Sequence, residues 1–182
     1  ILDIGANIGY YTALFSQLAG VNGTVIAVEP DEESYKYLTK SINSFNYKNV
    51  FSFRLAASDT KQKLPLYISK DNRGDNRLYS TNKKRNSIIV ECLTVDELLK
   101  NNKIENLDLI KIDVQGYEPK VLKGMRKIVK SSKKLILLLE FWPKGISQAG
   151  ENPKEFLAIL RKMQFQLFEL KRNGSLILLK PC

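Results

Sequence analysis

The sequence predicts an α/β protein: a doubly wound, Rossmann-like, mostly parallel seven-stranded sheet ending in a C-terminal antiparallel hairpin, with a small extra hairpin over residues 64–93. Three observations predict it. Short β-rich runs alternate with helical periodicities along most of the chain, a pattern that builds parallel sheets through crossover helices. A glycine-rich turn, Gly5-Ala6-Asn7-Ile8-Gly9, follows the first run and opens a helix. Near the other end, Asn173-Gly174 separates two apolar runs, a strong hairpin signal. With 182 residues and no internal repeat or linker, the chain reads as one domain, 1–182.

Each element has its own cue. Ile1, Leu2 and Ile4 form the first strand and carry Asp3. Tyr11, Leu14, Phe15 and Leu18 make a helical stripe, which Gly20 and Gly23 end. Thr24–Val28 is the second strand. Pro30 suits a helix start, and Asp31, Glu32 and Glu33 suit its positive end. Tyr35, Leu38, Ile42 and Phe45 continue that helix at spacings of three and four. Val50–Leu55 is a third strand leading into Ala56-Ala57-Ser58-Asp59. Leu64–Ile68 and Ile88–Leu93 are the added hairpin, flanking a polar loop. Thr94-Val95-Asp96-Glu97 is a capping box that opens a short helix. Leu107–Ile112 is a strand ending at Asp113, and the next helix buries Val121, Leu122 and Met125. Leu135–Leu139 is a nearly continuous apolar run ending in Glu140, as expected of a central strand covered on both faces. A helix around Phe156–Met163 follows, and Phe165–Leu170 with Leu176–Leu179 make the closing hairpin.

Composition narrows the chemistry. The chain has no histidine, which removes His-based triads, His general bases and most zinc sites; no metal ligand set is expected. Proton transfer must then fall to carboxylates, Lys or Tyr. Cys92 and Cys182 make no disulfide framework, which points to a reducing, cytoplasmic setting. No apolar run approaches a membrane span. The chain opens inside a core strand without Met, so a segment upstream is expected. Net charge is +10, and residues 61–85 hold eight basic side chains (Lys61, Lys63, Lys70, Arg73, Arg77, Lys83, Lys84, Arg85) against Asp71 and Asp75. That stretch is either a solvated loop or a surface that draws in an anionic acceptor.

The first turn differs from a dinucleotide fingerprint. Such a fingerprint needs glycines for pyrophosphate approach and for helix–sheet packing, where this chain has Asn7 and Tyr10. What remains, Asp3-x-Gly5-x-Asn7-x-Gly9, suits a nucleoside that carries an amino-acid end, such as S-adenosylmethionine. Ligands of open α/β sheets lie beyond the carboxyl ends of the strands, where Glu29, Asp59, Asp113 and Glu140 fall. Glu29 lies twenty residues after Gly9, the spacing at which an acid reaches a ribose diol. Ser58 and Asp59 stand where an adenine would lie, or else make a local turn. Asp113 faces the reacting end, where it holds the ligand's amino group, orients the acceptor or takes its proton. Glu118 is explained by helix-dipole complementarity, and Phe141 with Trp142 either wall an acceptor pocket or join the core.

The segments ILDIGANIGYYT, AVEPDEESY, LAASD, LTVDELL, LDLIKIDVQGYEPKVLKGM and LLLEFWP, in this order, resemble the FkbM-type S-adenosylmethionine-dependent methyltransferases, and KIDVQGYE is the most specific of them. The resemblance implies the class I methyltransferase fold and O-methylation of a hydroxyl on a sugar, glycan, glycolipid or other small molecule. It implies cofactor contacts from Asp3, Gly5, Ala6, Asn7 and Gly9, from Glu29 and Pro30, from Ser58 and Asp59, and from Asp113, the candidate catalytic residue. Many members carry Glu where this chain has Gln115. An RNA acceptor, read by the basic 61–85 stretch, and a cofactor-binding module without turnover remain as alternative readings.

Overall fold

The computed structural model describes residues 1–81 and 84–180; Lys83 of the basic stretch and Cys182 fall outside the described residues. Strand β1 (Leu2–Ile4) sits at the centre of a five-stranded parallel sheet. Beside it lie β2 (Val25–Val28), then β3 (Val50–Phe53), and on its other side β7 (Leu109–Ile112), then β8 (Ile136–Leu139). The order β3-β2-β1-β7-β8 makes β1 and β7 the point where the winding reverses. Leu2, Ile4, Ile26, Ile110 and Ile112 are buried, as strands covered on both faces require.

Crossover helices α1 (Tyr10–Ala19) and α2 (Glu32–Ser44) follow β1 and β2. Asp31 caps α2 by accepting from the Ser34 backbone N–H at 3.0 Å. Pro30 therefore lies one residue outside the helix, not in its first turn. In α1 the buried side chains are Thr12, Phe15 and Ser16, whereas Leu14 and Leu18 face outward. The apolar stripe expected from Tyr11, Leu14 and Leu18 thus points away from the sheet, and only Phe15 of it packs inward.

Between β3 and β7 the chain departs from simple alternation. β4 (Ala56–Ala57), β5 (Gln62–Tyr67) and β6 (Ser87–Leu93) form a separate three-stranded sheet, in which β5 and β6 are the expected hairpin. The capping box holds as expected: Thr94 Oγ1 accepts from Glu97 N at 3.1 Å at the start of α3 (Val95–Asn101). After β7 the single expected helix is two, α4 (Glu118–Lys123) and α5 (Arg126–Ser131). The Gly124 backbone lies so close to the Ser58 carbonyl that a Cβ there would sit 2.1 Å from its oxygen. Helices α6 (Pro143–Gln148) and α7 (Pro153–Lys162) follow β8.

Two expectations about the far edge need correction. The sheet has five strands rather than seven, because β9 (Phe168–Leu170) and β10 (Leu176–Leu178) pair only with each other among the described residues. Their antiparallel register and the left-handed Gly174 are those of the expected Asn-Gly hairpin. With β7 on one side and no strand on the other among the described residues, β8 is an edge strand, and Ile136 is 64% exposed despite its apolar run. No helix of the described residues is long and apolar enough to cross a membrane.

Ile110 in β7 is fully buried, so Ile110→Ala should cost about 2–5 kcal/mol of unfolding free energy. Ile136→Ala in β8 should cost less than about 1 kcal/mol. Denaturant titration of both variants distinguishes a central β7 from an edge β8.

Candidate functional site

Backbone hydrogen bonds bring successive strand ends to one edge of the sheet. Gly5 N and Ala6 N donate to Val28 O, each at 3.0 Å, Glu29 N donates to Phe53 O at 3.1 Å, and Asp113 N donates to Ile4 O at 3.1 Å. Glu140 N donates to Ile112 O at 3.1 Å. Of the four acids expected at strand ends, Glu29, Asp113 and Glu140 therefore share one edge. Asp59 does not join them, because β4 turns into the second sheet.

The first turn is held by buried charge. Asp3 is fully buried; its Oδ2 accepts from Thr12 Oγ1 at 2.7 Å, and its Oδ1 from Lys111 Nζ at 3.1 Å. Lys111 also donates to the Gly5 carbonyl at 3.1 Å and comes within 3.9 Å of Asp113 Oδ2. Gly5 has φ +76°, and a Cβ there would sit 1.9 Å from the Asp113 carbonyl oxygen. Only glycine fits so close an approach. Gly9, also left-handed, starts α1, where a Cβ would meet Leu38 at 2.8 Å.

Glu29 faces this turn. One carboxylate oxygen accepts from Asn7 N at 2.8 Å and the other from Asp31 N at 2.9 Å. Burial pushes its pKa up to about 7, against the pull of those two N–H groups. A carboxylate has about four acceptor positions, so two remain for further donors. Glu29 lines an open cleft together with Gly5, Asn7, Pro30, Ala56, Ala57, Asp113 and Gln115.

Ser58 and Asp59 are engaged elsewhere. Asp59 Oδ2 pairs with Lys120 Nζ at 3.2 Å, and Ser58 Oγ donates to Asp59 at 3.1 Å. Burial pushes Asp59 up, but Lys120 and Ser58 hold it below the usual carboxylate range. Neither residue lines the cleft. Asp3, Ala6 and Gly9 likewise support the turn rather than form the wall.

The loop after β7 presents Asp113 and Gln115. Gln115 Nε2 donates to Asp113 Oδ1 at 3.0 Å and to Glu140 Oε2 at 3.1 Å, so one amide bridges two carboxylates. Glu140 is pushed up by burial and by the neighbouring Asp113 charge. Glu118 does more than answer a helix dipole. It is fully buried, and its Oε1 accepts from Val114 N at 3.0 Å and Gly116 N at 3.2 Å, clamping the loop from below. Its Oε2 has no partner among the described residues, and burial raises its pKa to about 7.

The polar loop between β5 and β6 folds over the cleft. Arg73 reaches the Asp31 carboxylate at 2.8 Å and pairs with Glu33, while Arg77 and Arg85 both hold Asp75. The Arg77 guanidinium lies 4.7 Å from the Trp142 ring centroid, a cation–π distance. Tyr79 Oη donates to the Gln115 carbonyl at 2.7 Å. Among the described basic residues of that stretch, Lys63, Arg73, Arg77 and Arg85 are thus ion-paired within the protein. Sequence reasoning missed Lys111. The signal was available, because Asp3 and Lys111 are lone charges at matching positions of two apolar strands, ILDI and LIKI, and a buried charge needs a partner.

Two measurements follow from these buried groups. Lys111→Met strands the Asp3 carboxylate and should cost about 3–5 kcal/mol, with partial recovery in the Asp3→Asn/Lys111→Met double variant; denaturant unfolding reads both. Glu29 and Glu118 bind protons more readily folded than unfolded, so stability should fall as pH rises from about 4.5 to about 7. Glu118→Gln should flatten that fall, and an unchanged slope would remove Glu118 from it.

The sequence profile of the methyltransferase FkbM domain matches residues 3–167. Hexuronic acid methyltransferase AglP of Haloferax volcanii is 24% identical over 178 residues, which are 97% of this chain and 68% of that protein. Among solved structures, methyltransferase FkbM from Methylobacillus flagellatus KT aligns with a TM-score of 0.58 at 16% identity, over 89% of this chain. The chain spans only 36% of that protein's length. SMU.1697c from Streptococcus mutans, solved in complex with S-adenosylhomocysteine, aligns with a TM-score of 0.50 at 13% identity, over 97% of this chain and 84% of its own. These likenesses establish the class I methyltransferase fold, and with the profile match they show that the chain belongs to the FkbM family of S-adenosylmethionine-dependent methyltransferases.

Proposed function

We propose that this domain transfers the methyl group of S-adenosylmethionine to a hydroxyl of a sugar or glycan acceptor. The observation that carries the reading is the Glu29 carboxylate, held against the Gly5–Gly9 turn by Asn7 N at 2.8 Å, in a cleft that also reaches Asp113. Its two remaining acceptor positions match the two hydroxyls of a ribose. Gly5, Asn7 and Pro30 form the wall around the nucleoside, and Asp3, Ala6 and Gly9 fix the turn. The sulfonium end then lies toward β7, beside Asp113.

When bound, the cofactor supplies an electrophilic methyl carbon, which the acceptor oxygen attacks in line as the carbon–sulfur bond breaks and sulfur keeps the electron pair. The protein's part is to position the acceptor and to receive its proton. Asp113 is suited to both tasks: its side chain is 42% exposed, one oxygen is fixed by Gln115, and no His competes for the role. The hexuronic acid methyltransferase relative supports a sugar acceptor, and the charge of +10 favours an anionic one. The internal pairing of Arg73, Arg77 and Arg85 argues against an RNA track along the hairpin.

With each Glu29 oxygen already accepting one backbone N–H, the ionised carboxylate accepts both ribose hydroxyls better than the protonated acid does, so cofactor binding should release a proton. Affinity for S-adenosylhomocysteine should rise between about pH 6 and pH 8 and level off above, and calorimetry in buffers of different ionisation enthalpy measures the release. Glu29→Ala should abolish the pH dependence and weaken binding about tenfold or more. Asp113→Asn should lower kcat for methylation of a uronate-containing acceptor by about 10²-fold or more, a larger factor than any loss of S-adenosylhomocysteine affinity. Labelled methyl transfer to sugar, lipid and RNA fractions tests the acceptor class, and labelling of RNA alone would overturn the sugar assignment.

A further inference from the structure

The β5–β6 hairpin loop contributes a polar group to the cleft that nothing in the protein uses. Asn76 lines the cleft together with Glu29, Ala56, Ala57, Leu66 and Leu78. Its Oδ1 accepts from Ser69 N at 2.9 Å, and that donor fixes which end of the amide is oxygen. The other end, Nδ2, is buried and has no hydrogen-bond partner among the described residues. A buried amide donor without an acceptor is costly, and native structures keep few of them.

The surroundings narrow what the missing acceptor is. Ala56, Ala57 and Leu66 are buried and Leu78 is partly so, which gives apolar walls suited to a flat ring. They are the apolar part of the cleft lining, whereas Asp113 and Gln115 are part of its polar lining. A nucleoside whose ribose lies at Glu29 and whose reactive end lies at Asp113 therefore places its base among the apolar residues. Ser58 and Asp59, expected from sequence to meet that base, are held by Lys120 and by each other.

The loop is also fixed on both sides of Asn76. Arg73 is tied to Asp31 and Glu33, Arg77 exchanges two backbone hydrogen bonds with Tyr67 at 2.8 and 3.1 Å, and Asp75 is gripped by Arg77 and Arg85. We propose that Asn76 is a nucleobase-binding residue, whose Nδ2 donates to a ring nitrogen of the cofactor's adenine. This rests on the reading of the cleft as an adenosyl site and adds to it the hairpin as the wall that reads the base.

The test is calorimetric titration of the wild-type protein, Asn76→Asp and Asn76→Ala with S-adenosylhomocysteine and its 1-deaza, 3-deaza and 7-deaza adenine analogues. Asn76→Asp keeps the acceptor for Ser69 N but replaces the donor by a charged carboxylate oxygen, and Asn76→Ala removes the donor without adding charge, so a loss common to both reads the donor. Both variants should bind S-adenosylhomocysteine about tenfold more weakly, as for one lost hydrogen bond. Wild type should lose a similar factor toward one deaza analogue, toward which the variants lose nothing further. The inference is overturned if the variants bind S-adenosylhomocysteine as tightly as wild type, or if every deaza change costs variants and wild type alike. Wild type that binds none of these ligands overturns the adenosyl reading itself, and this inference with it.

Discussion

The buried ion pair between Asp3 and Lys111 is the constraint from which the site is built. The two residues face each other in register on β1 and β7, the strands where the winding reverses. Neither charge tolerates burial alone, so each holds the other strand in place. A slip of one residue would send both side chains to opposite faces of the sheet. The same ammonium takes the Gly5 carbonyl and approaches Asp113, so it connects the Gly5–Gly9 turn to the loop after β7. Thr12 on α1 completes the set through Asp3, which ties the first crossover helix to the same point.

Around that anchor the protein places carboxylates where water is scarce. Glu29 and Glu118 both have pKa values raised by burial to about 7, and each is steadied by two backbone N–H groups. Their surroundings assign different work to them. Glu29 opens on a cleft and has acceptor positions to spare, which suits ligand binding. Glu118 lies beneath a loop and fixes its backbone, which suits support of Asp113 and Gln115. Burial raises both pKa values, so each acid lowers stability as pH rises from about 4.5 to about 7.

Much of this was legible in the sequence, for identifiable reasons. The five parallel strands followed from short apolar runs separated by helical periodicity, and the first turn and Glu29 followed from spacing alone. The far edge was misread because a continuous apolar run does not reveal whether a neighbour strand exists; Leu135–Leu139 reads as central, yet β8 ends the sheet. The α1 stripe failed for a related reason: Thr12 and Ser16 face the sheet because their hydroxyls bond to Asp3 and Asn49, which a hydrophobicity count overlooks. The basic stretch looked like a free surface because Asp31 and Glu33, the partners of Arg73, lie some forty residues away in sequence, and because a charge count does not show that the single Asp75 holds both Arg77 and Arg85. The cleft wall formed by Asn76 and Leu78 could not be read at all, since it depends on the hairpin folding back over the strand ends.

A crystal structure of the protein with S-adenosylhomocysteine tests the central claim most directly. The account expects both ribose hydroxyls within about 3 Å of the Glu29 carboxylate, with the amino-acid end toward Asp113. A nucleoside bound with its ribose away from Glu29, or outside the cleft between β2 and β7, would contradict it.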